Sequence, residues 1–334
     1  MMQKKNTPYI ISLLALTLLA CGCTNQLEVD EIRLSDHRIG VSACLPDPIV
    51  TTRTAAEANP YQGTTPSTSN VLDASVWFST TLGTYEAGAV ANTLPRHTEV
   101  RFNSSGTVYP ESDVLLYPEE SETVYCVGLY PYSASEWTNT DASGTVSNTH
   151  ASHTIDGSQD LMFAPQVSGS KDSPISSPLA FTHQLTWLKI NVIAEDASAI
   201  TSWGNVTNIT VTSPGDKLTV DLSAGTASCN STPTNITAFE GSSALKITSQ
   251  ELGSIFCAPD TGYDIEVTTT NSGEAKSLGK VLLKVVDGTT PVPDADYAKG
   301  QMFVITLNFK PFSTIEATCT LTAWDDVYQT IEGT

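Results

Sequence analysis

The segment Thr314-Ile315-Glu316-Ala317-Thr318-Cys319-Thr320-Leu321-Thr322-Ala323-Trp324 carries the pattern that decides the fold. Apolar or small side chains occupy every second position from Ile315 to Ala323, and threonines with one glutamate fill the positions between them. Because successive side chains of a strand point to opposite faces, this alternation predicts a β-strand with one face against a core. Such a strand can complete a half-open sandwich, either in its own subunit or in a neighbouring one.

A period of two residues recurs in eleven further runs, which are separated by turn clusters rich in Ser, Asn, Gly, Pro and Asp. The runs predict strands at Ala74–Thr80, Glu99–Asn103, Val114–Tyr117, Val124–Tyr130, Phe181–Ile193, Val206–Thr212, Lys217–Leu222, Leu245–Thr248, Tyr263–Thr269, Lys280–Val286 and Met302–Phe309. Outside the N-terminal apolar run, no segment keeps the helical period of 3.6 residues over three turns. The pattern therefore predicts an all-β fold built from β-sandwiches.

The length of 334 residues suits about two domains. The stretch Gln166–Pro178 is rich in Ser, Gly, Pro and Asp, as domain-connecting segments often are. We therefore predict two tandem sandwich domains, the first over residues 54–176 and the second, with the terminal strand, over residues 177–334.

Charge and motifs exclude several classes of function. The net charge of −20, from 36 acidic and 16 basic residues, repels nucleic acid, so no nucleic-acid partner is expected. The chain contains no P-loop, no G-x-S-x-G element and no dinucleotide-binding glycine pattern. We therefore expect no enzyme activity, no catalytic residues and no cofactor.

The seven cysteines are scattered singly and show no metal-ligand spacing beyond the first residues. Cys126, Cys257 and Cys319 are predicted to be small apolar core residues within strands. A single disulfide among the cysteines remains an open alternative.

The histidines also point away from a metal site. His150 and His153, followed by Asp156, would face opposite sides if they lay on a strand, and the H-E-x-x-H helix pattern is missing. We expect the first two to be solvated loop residues. His183 has no acidic neighbour in the sequence and is expected to be a hydrogen-bonded structural histidine.

The N-terminus predicts an export signal over residues 1–20. Lys4 and Lys5 precede a short apolar run that ends in Leu18-Leu19-Ala20-Cys21. This is the n-region, h-region and small-residue cleavage site of a signal peptide, and the run is too short to span a bilayer. A cysteine at the first mature position is what a bacterial lipoprotein signal requires, so Cys21 is the predicted lipidation site and Cys23 the alternative. An ordinary signal peptide that happens to contain cysteine is the competing interpretation.

Residues 21–53 are predicted to be a propeptide that carries the first β-strand. Apolar residues alternate in parts of this segment, for example at Val41 and Ala43. All five arginines of the chain lie within its first 101 residues, so an arginine-specific protease would find targets only near the N-terminus.

Seven segments of the chain together match one known family in order and spacing. They are Thr52-Arg53, Leu116-Tyr117-Pro118, residues 124–132, residues 160–164, residues 179–188, residues 300–307 and Thr322-Ala323-Trp324. In these segments the chain resembles the fimbrillins, the Mfa-like and FimA-like subunits of type V pili.

The resemblance implies two transthyretin-like β-sandwich domains, exported as a lipoprotein precursor. It also implies that an arginine-specific protease cuts at Arg53, making Thr54 the new N-terminus and removing the lipidated strand, with Arg33 or Arg38 as fallback positions. The groove left behind would accept a strand from another subunit. The implied partners are other fimbrial subunits and, before processing, the outer membrane through the lipid.

Two alternatives share the signal and the all-β pattern. The first is a lipid-anchored surface protein that never polymerises, either a basal pilus anchor or a module that binds a glycan, a host ligand or a bacterial surface ligand. The second is a secreted hydrolase, which the absence of catalytic motifs ranks last.

Overall fold

The computed structural model describes residues 38–44, 72–85, 97–102, 115–118, 122–132, 137–285, 289–311 and 314–322. Strands dominate these residues: β1 (Ala43–Cys44), β2 (Leu72–Ser79), β3 (His97–Phe102), β4 (Val124–Tyr130), β5 (His150–Thr154), β6 (Met162–Gly169), β7 (Leu179–Ala180), β8 (Thr182–His183), β9 (Thr186–Ala194), β10 (Asn205–Ser213), β11 (Lys217–Asp221), β12 (Thr226–Cys229), β13 (Thr234–Ala244), β14 (Gln250–Cys257), β15 (Gly262–Thr269), β16 (Lys276–Leu282), β17 (Met302–Phe309) and β18 (Ile315–Thr322). Two short helices, α1 (Ala197–Trp203) and α2 (Ala295–Ala298), lie among them. The all-β sandwich class predicted from the sequence is confirmed.

The first sandwich is built on a five-stranded antiparallel sheet in the order β3-β2-β4-β6-β8. Both faces of this sheet are buried. Val76 and Phe78 of β2 belong to a smaller hydrophobic cluster, whereas Trp77 between them belongs to a larger one. The sheet therefore separates two cores, and each of its central strands contributes to both.

The second sandwich consists of two four-stranded sheets, in the orders β14-β9-β17-β18 and β13-β10-β15-β16. In β9, every second residue from Leu188 to Ala194 is buried, as expected of a strand with one face against a core. The inner faces of both sheets belong to the larger cluster, to which Ile305 of β17 and Ile265 of β15 contribute. β17 lies inside its sheet and pairs parallel with β9 and antiparallel with β18.

A three-stranded antiparallel sheet in the order β12-β11-β5 joins early and late parts of the chain. Leu218 and Val220 of β11 and Ala151 of β5 point into the larger cluster, so the opposite face of this sheet carries the polar residues between them. β6 extends to Gly169, and the loop that follows it ends at β7. The division into domains at residues 176 and 177 stays a prediction.

Several strand predictions agree closely with the structure. β4 and β17 have the predicted bounds, and β18 covers Ile315–Thr322 of the predicted final strand. Other predictions were wrong. Residues 245–248 form no strand, the strand predicted for residues 181–193 is interrupted between β8 and β9, and β16 begins four residues before its prediction. The sequence analysis missed β5, β6, β13 and β14, which mix polar and apolar residues too irregularly to show a period of two.

Candidate functional site

Residues 38–44 are part of the core of the first sandwich. Ile39 and Val41 are each 1% exposed and belong to the smaller hydrophobic cluster, and Cys44 is buried as well. The burial does not alternate strictly, since Ile39, Gly40 and Val41 are buried in succession and Ala43 is only half-buried, and only Ala43 and Cys44 form regular strand pairs. The N-terminal segment is therefore an integral element of the sandwich in the described region.

Backbone hydrogen bonds fix this segment to two separate parts of the chain. The N–H of Ile39 donates to the carbonyl oxygen of Leu115 at 2.8 Å. The N–H of Leu179 donates to Ser42 O at 2.7 Å, and the N–H of Phe181 donates to Cys44 O at 3.0 Å. Removing the segment would leave these partner groups in an apolar setting without the hydrogen bonds that satisfy them.

The residues that share a core with the segment would line an apolar groove if the segment left. Leu72, Phe102, Leu115, Leu179 and Phe181 share the smaller cluster with Ile39 and Val41, and each is at most 2% exposed. The rings of Phe102 and Phe181 meet edge to face, with centroids 6.1 Å apart. An empty groove of this kind would expose both apolar surface and unpaired backbone, the two features that β-strand addition satisfies.

Of the residues predicted for lipidation and cleavage, all but Arg38 lie outside the described part of the chain. They are Cys21, Cys23, Arg33, Arg53 and Thr54.

Arg38 is described, and it opens the buried segment with an antiparallel bridge to Leu116. A cut directly after Arg38 would leave Ile39 and the rest of the buried segment attached to the subunit, whereas a cut at Arg53 would separate all of it.

The C-terminal strand β18 occupies an edge of the second sandwich and pairs with β17 of its own subunit, from Phe309↔Ile315 to Met302↔Thr322. Cys319 is 4% exposed, and Ile315, Ala317 and Leu321 on the same face are half-buried. Of the two alternatives left open by the sequence, the structure shows the strand completing a sheet of its own subunit.

The three cysteines that were predicted to be core residues are buried. Cys126, Cys257 and Cys319 are at most 4% exposed and carry free thiols. Burial raises the pKa of Cys126 to about 12 and that of Cys319 to about 11, because the interior penalises the thiolate. These thiols are core groups and poor nucleophiles.

The histidine predictions need correction. His150 and His153 lie on strand β5 rather than in a solvated loop, and His153 is buried with its Nδ1 2.7 Å from Thr154 O. The loop prediction failed because the polar residues of β5 hide its strand character. His183 does have an acidic partner, since its Nδ1 lies 2.6 Å from Asp160 Oδ2, and sequence separation concealed that contact. Its hydrogen-bonded structural role agrees with the prediction.

The groove partners of the N-terminal segment could not be identified from the sequence. Leu115 lies in a run predicted as a strand of its own, of which the structure describes residues 115–117 with one bridge at Leu116. No local signal pairs it with residue 39, because the two are joined only by the three-dimensional fold. Among the described residues, no group of three His, Cys, Asp or Glu side chains could hold a metal ion. No helix in the described part of the chain is long and apolar enough to cross a membrane.

Comparison with known proteins places these features in context. A family model described as fimbrillin-like matches residues 59–324 of the chain. A solved structure from Bacteroides uniformis, provisionally described as a cell adhesion protein, is 16% identical with a TM-score of 0.48 and covers 87% of this chain and 100% of its own. A second solved structure, from Bacteroides ovatus and with the same description, is 16% identical with a TM-score of 0.49. It covers 86% of this chain and 98% of its own. A comparison with curated protein sequences finds no significant match.

Proposed function

We propose that this chain, which belongs to the fimbrillin-like family, is a structural subunit of a fimbria that assembles by strand exchange. The family consists of non-enzymatic, adhesion-related proteins of the cell surface. The observation that carries this proposal is the burial of residues 38–44 in the core of the first sandwich, upstream of Arg53. In the proposed pathway the precursor is lipidated at Cys21, or alternatively at Cys23, and is held at the outer membrane. Cleavage at Arg53 then makes Thr54 the new N-terminus.

The position of the cut decides whether a groove can open. Cleavage at Arg53 separates the complete segment 38–44 from the subunit, so that only non-covalent contacts retain it. Cleavage at Arg38 would leave Ile39 and Val41 covalently attached in their places. Strand exchange therefore favours Arg53 over Arg38 as the processing site.

The contacts of the segment indicate how much a replacement strand must provide. Burial of Ile39 and of Val41 contributes about 1.5–3 kcal/mol each. Each of the three backbone hydrogen bonds contributes about 1 kcal/mol net. Together these contributions are large beside the 5–15 kcal/mol that typically stabilises a whole domain. A donor strand must therefore present apolar side chains at alternate positions and pair with both Leu115 and residues 179–181.

In the structure, β18 is not available as a donor strand for another subunit. All eight residues of β18 pair with β17, so β18 could act as a donor only after leaving its own sheet. The donor is a strand of another fimbrial subunit, and the pairing geometry described above is the requirement it must meet.

The experiment is to incubate the full precursor with an arginine-specific protease and to follow assembly by non-boiled gel electrophoresis and electron microscopy. Arg53→Lys is the matched variant, because it keeps the charge but removes the arginine that the protease requires. We expect ladders or fibres and a free Thr54 N-terminus from the wild type, and neither from the variant. Assembly by Arg53→Lys at the wild-type rate would refute processing at this position.

A second candidate function is favoured by the closed state of the first sandwich. With residues 38–44 in place the groove is filled, as it would be in a basal anchor or a lipid-anchored binding module that is never processed. Mass spectrometry of the mature N-terminus separates the two candidates. An acylated Cys21 on protein from the cell surface supports the anchor or module, and a free Thr54 supports the polymerising subunit.

A further inference from the structure

A polar cleft of about 460 Å³ lies on the outer face of the three-stranded sheet β5-β11-β12. Its lining includes Asp141, Ser143, His150, Thr219, Asp221 and Ser228. The volume lies within the range of roughly 300–1,000 Å³ that is usual for small-molecule sites. This cleft is unrelated to the groove of residues 38–44.

The strand register explains why these polar residues converge. Asp221 of β11 lies opposite His150 of β5, and Thr219 lies opposite Ser228 of β12. Because side chains alternate along β11, Leu218 and Val220 point into the larger core and their neighbours point outward. The sheet thus has one apolar face and one face rich in hydroxyl, carboxylate and imidazole groups.

Both aspartates of the cleft are held in ionised form by their own loops. Asp141 Oδ1 accepts hydrogen bonds from Ser143 Oγ at 2.6 Å and from the N–H groups of Ser143 and Thr145, which lower the pKa of Asp141. The loop after β11 repeats this arrangement. Burial raises the pKa of Asp221, but the hydrogen bonds from Ser223 and Ala224 to its Oδ1 outweigh burial and lower it.

The remaining oxygen of Asp221 faces the imidazole of the cleft. Asp221 Oδ2 lies 3.8 Å from His150 Nε2, which is too long for a hydrogen bond. The other ring nitrogen of His150 is already engaged by the hydroxyls of Ser147 and Thr149, at 3.0 Å and 2.9 Å. A ligand hydroxyl to one side of this pair, about 2.8 Å from each atom, could bond to both.

Thr219 supplies an independent indication of a ligand. The residue is 6% exposed, and its Oγ1 is buried with no hydrogen-bond partner in the described part of the chain. Buried hydroxyl groups are nearly always hydrogen-bonded, so an unsatisfied one at a cleft requires an explanation. A polar group of a ligand in the cleft would satisfy it.

The loops near the cleft also expose apolar side chains. Leu82 is 65% exposed and Val146 is 80% exposed, among the largest values for apolar residues in the described part of the chain. Leu82 lies in the turn 81–84, and Val146 in the loop that begins with Asp141. Backbone hydrogen bonds from Tyr85 to Asn148 and from Leu222 to Thr149 join this turn and this loop to the end of β11.

We propose that this cleft binds a neutral saccharide. Two ionised carboxylates disfavour an anionic ligand, and the described residues offer no group suited to a metal ion. Saccharide hydroxyls both donate and accept, so they can bond to Asp221, His150 and Thr219 together. Leu82 and Val146 do not line the cleft, and only a longer saccharide that extends beyond it could reach them. The proposal goes beyond strand exchange and does not depend on it.

The test is saturation-transfer NMR and calorimetry on the full mature chain with galactose, mannose, N-acetylglucosamine and, as a primary amine, N-acetyl-lysine amide. We expect at least one sugar to bind and Asp221→Asn to weaken that binding about tenfold or more, because a charged hydrogen bond is lost. Asp156→Asn is the matched control. Asp156 accepts from Ser158 in the same kind of loop and is not among the residues lining the cleft.

Thr219→Val separates ligand binding from folding. Because Oγ1 has no partner in the described protein, replacing the hydroxyl by a methyl group should leave the melting temperature unchanged or raise it. The same change should weaken sugar binding about two- to tenfold.

Binding of no sugar in the panel, binding of the amine alone, or wild-type sugar affinity in Thr219→Val would each overturn the proposal. Sugar binding by a chain that fails to polymerise would support the cleft while counting against strand exchange, so the two failures are distinguishable.

Discussion

Replacing Ile39 by alanine tests whether residues 38–44 hold the first sandwich together in solution. Ile39 is 1% exposed within the smaller cluster. Truncating a buried isoleucine to alanine typically costs about 2–5 kcal/mol, since it removes transfer free energy and leaves a cavity. The loss falls on the docking of the segment, whether the segment detaches alone or the whole sandwich unfolds.

Amide hydrogen exchange measures either event. The N–H groups of Leu179 and Phe181 donate to Ser42 and Cys44, so they can exchange only when the segment leaves its place. A loss of about 2–5 kcal/mol corresponds to exchange about 30- to 5,000-fold faster at these two amides in Ile39→Ala. The amides of β15 in the second sandwich serve as an internal reference, because they are remote from the groove.

Ile247→Ala is the matched control. Ile247 is 63% exposed, so the same truncation should change the free energy of unfolding by at most about 0.5 kcal/mol. If Ile39→Ala leaves exchange at Leu179 and Phe181 at the wild-type rate, the segment does not cover these groups in solution. Proteolytic removal of the segment would then open no groove, and strand exchange would lose its structural basis.

Three further predictions concern the packing and titration of the fold. Gly128→Ala should destabilise the first sandwich by about 1–3 kcal/mol in urea denaturation, because the added Cβ would lie 2.5 Å from the ring of Phe181; unchanged stability would contradict this packing. Iodoacetamide at about pH 8 should not modify Cys126 and Cys257 in the native protein, because both thiols are buried and burial raises their pKa. Mass spectrometry should detect modification of both only after unfolding in guanidinium. The melting temperature should fall as the pH drops below the ordinary aspartate pKa of 3.8, and less steeply in Asp156→Asn. The pKa of Asp156 is lowered in the folded protein, because its hydrogen bonds from Ser158 outweigh the opposing effect of burial. The contribution of Asp156 to stability is therefore complete above the unfolded pKa and is lost as the pH falls through the lower folded pKa. Parallel profiles of melting temperature against pH for the two proteins would refute this account.

The sequence allowed the strands with regular alternation to be predicted well. Met302–Phe309 was predicted at its observed bounds because its buried residues alternate from Phe303 onward. Val124–Tyr130 was also predicted at its observed bounds, although it is buried on both faces and its burial does not alternate. β13 escaped prediction because most of its residues are exposed or only partly buried, so its sequence carries little apolar signal. Strand pairing holds it in place through β10, which is a tertiary effect that local sequence does not record.

The candidate site was predictable in part for the same reason. Alternation marked Val41 and Ala43 as strand residues, and the structure places Val41 in the smaller core. The partners of the segment are more than seventy residues away in sequence, at Leu115 and Leu179, and nothing local connects them. The polar cleft was missed because its residues come from β5, β11, β12 and the loop that begins at Asp141, and because His150 was interpreted as a solvated loop residue.

The two cores of the first sandwich suggest how a subunit could stay folded while its groove is open. Departure of residues 38–44 would expose only the smaller cluster, to which Val76 and Phe78 of β2 belong. Trp77 on the opposite face would remain packed in the larger cluster with the second sandwich. The sheet would thus keep one covered face, and β2, β4 and β6 would keep their pairing with one another. An open subunit of this kind retains a template of fixed register, which is the condition for an incoming strand to pair in one position rather than many.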